Sequence, residues 1–169
     1  DPFYIKDSDT GHILAYDFFG GNLQGVLAKL PYLKDLGITA IYFNPLFASP
    51  SNHRYDTADY KHIDPMLGDN ALFAQLCVTA AAKFGIRVIL DGVFSHTGSD
   101  SIYFNKEGTY LEIGAYQSRE SKYYPWYRFS RYPDEYESWW GVDNMPNVNE
   151  QEPTYQDYII GSSDSVVRH

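Results

Sequence analysis

The apolar run Val88-Ile89-Leu90 stops abruptly on Asp91-Gly92, and His96 follows five residues after the acid. A continuous run of this kind reads as a strand covered on both faces, which is the pattern of a parallel sheet. An acid and a histidine placed where such a strand runs out stand at the carboxyl edge of the sheet. Open α/β sheets and α/β barrels carry their chemistry there. Taken alone, the segment fits equally well a solvated strand end with an Asp-Gly turn, so the surrounding chain has to decide.

The surrounding chain repeats one unit. Asn22 suits a helix N-cap, and Leu23, Val26, Leu27, Leu30, Leu33 and Leu36 follow at helical spacing until Gly37. Pro31 interrupts this pattern and predicts a kink or two short helices. Ile38 to Asn44 reads as a strand stopped by Pro45, and residues 46–68 read as a long connection rich in Pro, Ser, Asn, His and Asp. Asp69 caps a second helix carrying Leu72, Phe73, Leu76, Cys77, Ala80, Ala81 and Phe84, ended by Gly85. Strands alternating with helices of this length imply a parallel pair with a right-handed crossover. Residues 1–21 are loop-like and polar. Residues 97–148 break the rhythm, being dense in Tyr, Trp, Gly and Pro. A segment that long without a period is functional or a small subdomain. Pro153 then opens a last helix at a favoured first position, with Tyr155, Tyr158, Ile159, Val166 and Val167 as its apolar face and Gly161 weakening its middle.

Composition narrows the function. A net charge of −9 argues against a nucleic-acid partner, because phosphate contacts need clustered Lys and Arg. No apolar run approaches the roughly 20 residues that span a bilayer. The first residues show no signal-peptide pattern, so a cytoplasmic protein is expected. The single cysteine, Cys77, permits no internal disulfide and reads as a small core residue. Aromatic residues make up 17% of the chain, 16 of them Tyr, which suits sugar-stacking clefts and protein interfaces alike. The run Tyr123-Tyr124-Pro125-Trp126-Tyr127 and the pair Trp139-Trp140 suit either a sugar cleft or a small core, and the core is the preferred reading. His12, His53, His62, His96 and His169 show no metal-hydrolase spacing. No nucleophile elbow or phosphate loop is present.

Five segments, in chain order, resemble the α-amylase family of glycoside hydrolases, family 13, and within it the neopullulanase, cyclomaltodextrinase and maltogenic amylase branch. They are Gly20-Gly21-Asn22-Leu23-Gln24-Gly25, Leu36 to Phe47, Ser49 to Tyr60, Asp91-Gly92-Val93-Phe94-Ser95-His96, and Met145-Pro146-Asn147-Val148-Asn149. The resemblance implies a partial (β/α)8 TIM barrel with an irregular B-domain-like insertion. Residues 1–96 would be the first part of the barrel, with its strands two and three. Residues 97–149 would be the insertion, and 150–169 a barrel helix leading to a fourth strand. The parent activity implied is retaining hydrolysis of α-1,4 and, as a further option, α-1,6 glucosidic bonds in α-glucan oligosaccharides or polysaccharides. A stand-alone carbohydrate-binding domain without catalysis is the alternative.

The resemblance also assigns roles. Tyr55 would stack on the glucose ring at the cleavage site and His96 would hydrogen-bond the sugar's hydroxyls. Asp91 would hold the strand bearing the nucleophile, and Asp56 would orient its neighbours. The family's nucleophile, general acid and third carboxylate have no matching segments among the 169 residues. No catalytic residue is therefore expected in this chain, which should be an internal piece, inactive alone and prone to self-association through exposed barrel edges. No cofactor is expected. The family's B-domain calcium usually takes an Asn where Ser95 stands, and a second calcium position leaves only Gly20 and the neutral Asn22 as donors, so a calcium ion is a minor expectation.

Overall fold

The computed structural model describes residues 6–9, 11 and 18–168. His12, His169 and most of the loop expected at the start of the chain lie outside them. Helix α1 spans Leu23–Asp35, and the Asn22 side chain accepts the Gly25 amide at 3.0 Å as its N-cap. Gly37 turns the chain at φ +84°, so the Gly37 and Ile38 amides reach back to the Lys34 and Leu33 carbonyls. These are the paired bonds of a Schellman closure. The kink expected at Pro31 does not divide the element. α1 continues through it as one helix, because Leu30 just before it is fully buried and Leu33 just after it packs on the same core.

Strand β1 (Ala40–Phe43) pairs in parallel with β4 (Arg87–Leu90), Ala40 opposite Arg87 and Phe43 opposite Leu90. Helix α2 (Asn70–Thr79) lies between them in sequence. Asp69 caps it by accepting the Leu72 amide at 2.7 Å. A π-helical turn at Ala80–Phe84 extends α2, and Gly85 ends it at φ +64°. Among the described residues β1 and β4 are the only parallel pair.

Ile41, Phe43, Val88 and Leu90 pack on a core of Leu23, Leu30, Leu46, Ile63, Leu76, Ala80 and Ile86. The alternate residues point the other way, and Tyr42 and Ile89 remain 60% and 48% exposed. The reading of β4 as covered on both faces is therefore corrected. Helices cover one face and the other is open. Cys77 is half-buried rather than a core residue, because it sits at the rim of a groove beside Ala40, Ile86 and Val88.

The long connection is more ordered than its composition suggests. It contains a short antiparallel pair, β2 (Phe47–Ala48) with β3 (Asp59–Ile63). A second pair, β5 (Phe129–Arg131) with β6 (Glu135–Tyr136), lies in the Tyr-rich segment. The last helix is shorter than expected. α3 covers Pro153–Gln156, a π-helical turn follows at Asp157–Gly161, and Val166 lies in a separate 3-10 turn. Tyr155 and Ile159 are buried as the apolar pattern requires, but Val167 is 64% exposed.

A second, aromatic core joins Tyr103, Phe104, Tyr123, Trp126, Tyr127 and Val148 to Tyr60 of β3 and to Tyr155 and Ile159 of the last helix. Tyr103 is its hub, with edge or tilted contacts at 5.4 Å to both Tyr123 and Trp126. The segment leaves and returns at one place. Thr97 and Ser99 donate to the Pro146 and Asn144 carbonyls, and Val148 donates to Ser95.

A cleft at the carboxyl end of the parallel pair

The two strands and the returning segment frame a cleft of about 720 Å³. Its walls include Asp91, Phe94 and His96 just past β4, His53 and Tyr55 from the loop before β3, and Trp139 and Met145 from the returning segment. Three of the five sequence segments thus converge on one site, although Tyr55 and His96 are 41 residues apart in the chain.

Each wall has a physical anchor. The loop carrying Tyr55 is fixed from below. Asp56 is 3% exposed and accepts the Ser49 hydroxyl at 2.6 Å and that of Ser51. Next to Tyr55, Arg54 adopts φ +63° and makes a buried ion pair with Asp64. Asp64 in turn accepts the Ser49 amide at 3.3 Å. A carboxylate and a guanidinium are kept out of water only when paired, so these contacts dictate the loop's path. Gly98 lets the loop close down. A Cβ there would lie 2.7 Å from the Asp56 carbonyl oxygen, while its amide donates to the Thr57 carbonyl at 2.8 Å.

The segment after β4 is held by tyrosine hydroxyls from the aromatic core. Tyr60 donates towards the Val93 and His96 carbonyls, at 2.6 and 2.8 Å, and Tyr155 donates to the Phe94 carbonyl at 2.7 Å. Burial pushes both phenols up, so they stay neutral donors. These two residues are functional in the sense of positioning the site, and nothing in their spacing announced it.

Within the cleft, the Tyr55 hydroxyl donates to Asp91 Oδ2 at 3.2 Å. Partial desolvation and then the Asp91 carboxylate raise the Tyr55 phenol above its ordinary pKa. Tyr42 of β1 is raised by the same two influences, with Asp91 beside it. Asp91 is the only carboxylate among the described residues lining the cleft.

His96 Nε2 lies 3.0 Å from the Tyr55 carbonyl oxygen, and Nδ1 lies 3.2 Å from the Ser95 hydroxyl. A carbonyl can only accept, so the proton sits on Nε2 and Nδ1 accepts from Ser95. Burial lowers the imidazole's pKa, and the ring is neutral at pH 7. Both ring nitrogens are thus engaged inside the chain, and the ring packs against Trp139 at 5.7 Å.

The preferred core reading of the aromatic run and pair divides. Tyr123, Trp126 and Tyr127 are buried in the core, but Trp139 and Trp140 are 42% and 88% exposed, with Trp139 in the cleft wall. His53 is a lining residue that the sequence did not assign, and Trp139 takes the cleft place that the sequence offered only as the second option. His53 had a signal, since its ring stacks on Tyr55 two residues away at 6.2 Å.

The Asn22 side-chain oxygen accepts the Gly25 amide as the helix cap, and no group of three His, Cys, Asp or Glu among the described residues is placed to hold a metal.

An aromatic cleft with one acid at the carboxyl edge of parallel strands stands where α/β folds carry their sites. Residues 2–163 match the family model described as the alpha amylase catalytic domain. The chain belongs to that family, and its fold is part of a TIM barrel. It is 48% identical over 93% of its length to an amylopullulanase of Thermoanaerobacter thermohydrosulfuricus, and spans 12% of that protein. It is 39% identical over 94% of its length to an intracellular maltogenic amylase of Bacillus subtilis (strain 168), and spans 25% of it. Among solved structures, a debranching enzyme from Nostoc punctiforme matches 85% of the chain at 38% identity with a TM-score of 0.71, the chain spanning 30% of it.

Proposed function

We propose that this chain builds the sugar-binding wall of a retaining α-glucan hydrolase that acts on α-1,4 and α-1,6 glucosidic bonds. The observation that carries the reading is the Tyr55–Asp91–His96 constellation at the carboxyl end of β4. Tyr55 offers its ring to the sugar at the cleavage site, with Asp91 fixing its hydroxyl. The π face of such a ring stabilises the positive charge that develops at the anomeric carbon. His96 locks the Tyr55 backbone, and its Nε2–H is the donor for which a sugar hydroxyl competes. Asp56 supports the loop from beneath, and residues 97–149 act as the B-domain-like insertion that adds Trp139.

The chain does not supply the reacting groups. Retaining hydrolysis needs two carboxyl groups about 5 Å apart, and the cleft presents Asp91 alone, already engaged by Tyr55. The isolated 169-residue chain should therefore release no glucose or maltose from maltooligosaccharides or pullulan. The intact protein that carries it should do so with retained anomeric configuration, read by proton NMR of the first product. Turnover by the isolated chain, or inverted product from the intact protein, would overturn the reading.

A carbohydrate-binding role without catalysis has one observation in its favour, the exposed Trp139-Trp140 pair beside the cleft. It predicts that the intact protein binds maltoheptaose and hydrolyses nothing. The Bacillus relative is described as intracellular, and no helix among the described residues is long and apolar enough to cross a membrane. A cytoplasmic location is proposed on that basis.

A further inference from the structure

Trp140 leaves 88% of its surface in water. With Trp139, itself 42% exposed in the cleft wall, it sets two adjoining indole rings at the surface, and contiguous exposed apolar surface marks a contact site. The Trp140 backbone sits at φ 53°, ψ 25°, in the left-handed region that residues other than glycine occupy at a cost. Strained residues of this kind persist where surrounding structure over-determines them, and they gather at ligand clamps. The surroundings do over-determine this one. Trp139 donates its amide to the Met145 carbonyl at 2.9 Å, Val142 donates to the Trp139 carbonyl at 2.9 Å, and Ser138 bridges to Pro146.

The ring also continues a row. Trp140 meets Trp139 at 5.7 Å and 40°, and Trp139 meets His96 at 5.7 Å and 37°. Three aromatic rings thus step from the outer surface into the cleft, each tilted against the next. A flat, coplanar row would suit a straight β-linked glycan. Successive tilts suit the curved path of an α-linked glucan, whose units present their apolar C–H faces in turning directions. The platform is uncharged, as a neutral sugar requires.

We infer that Trp140 is an outer stacking platform for an α-linked glucan. It holds a glucosyl unit beyond the one in the cleft, so it favours long substrates over short ones. The inference rests on the cleft reading above, and deepens it by naming a residue that sets chain-length preference.

The test measures kcat/KM of the intact protein for maltotriose and maltoheptaose, in wild type, Trp140→Ala, Trp140→Phe and Tyr55→Ala. Trp140→Ala is expected to lower kcat/KM for maltoheptaose about tenfold more than for maltotriose, chiefly through KM. Trp140→Phe should restore most of the difference. An equal effect on both substrates, or none on either, overturns the inference, and an equal loss with altered sedimentation assigns Trp140 to a protein interface instead. Tyr55→Ala should lower both substrates alike. If it lowers neither, the cleft reading fails, whatever Trp140 does. If the wild type turns over neither sugar, both readings fall together.

Discussion

Asp91 shows how one side chain can matter without reacting. It accepts from Tyr55 and raises the phenols on either side of it. Tyr55→Phe keeps the ring and removes this bond, and should lower kcat/KM of the intact protein about tenfold. Tyr55→Ala should cost more, since it also removes the stacking face. Burial holds the His96 pKa below its ordinary value of 6.5, so the unfolded chain takes up that proton first as pH falls. The stabilisation from neutral His96 is complete above about pH 6.5 and drains as pH falls below it towards the lower folded-state value. The Tm of the chain should therefore fall as pH drops below about 6.5, and His96→Gln should flatten part of that slope. Cutting the buried ion pair with Arg54→Ala should destabilise the chain by about 3–5 kcal/mol in urea unfolding, because the buried Asp64 carboxylate loses its only cation among the described residues. Tyr55, Asp91 and His96 were legible in the sequence because a strand end and short motifs name them. The Arg54–Asp64 pair was not, and the sequence left Trp139 between cleft and core, because no local period links residues that meet only when loops fold back.

At the level of elements, the ends of helices were the most legible features. Asn22, Asp69, Gly37 and Gly85 each do the capping that their chemistry suggests. Asn22→Ala and Asp69→Ala should each cost about 1 kcal/mol, measured by thermal or urea unfolding. With the Asn22 oxygen committed to its cap, a chelator should leave the Tm of the chain unchanged. Pro31 was misjudged because local propensity lost to packing. The helix keeps its line from Leu30 to Leu33 on the core and forgoes one backbone bond. The last helix was overextended for the opposite reason. An apolar pattern continued to Val166 and Val167, while the backbone widened into a π turn and stopped at Gly161. The pair β2–β3 was missed because Asp59-Tyr60-Lys61-His62-Ile63 is too polar to announce a strand, although Tyr60 is buried there.

At the level of the molecule, the parallel pair leaves one face open, with Tyr42 and Ile89 in water. Unpaired strand edges and an uncovered apolar face favour association. The isolated chain should therefore show a weight-average mass that rises with concentration in sedimentation equilibrium. A monomer at all concentrations would refute this. The architecture of helices on parallel strands was visible in the alternation of periods. The openness of one face was not, because a run such as Val88-Ile89-Leu90 looks the same whether its second cover belongs to this chain or to another part of a barrel. The pairing of residues 95–99 with 144–148 has a wider consequence. The Tyr-rich segment behaves like a graft with a closed wound. Its two cut ends are sutured side by side, so its length can drift over evolutionary time without prising the strands apart. What a graft would have to bring is small: apolar rings to pack on Tyr60 and Tyr155 of the host, and an aromatic ring to face His96.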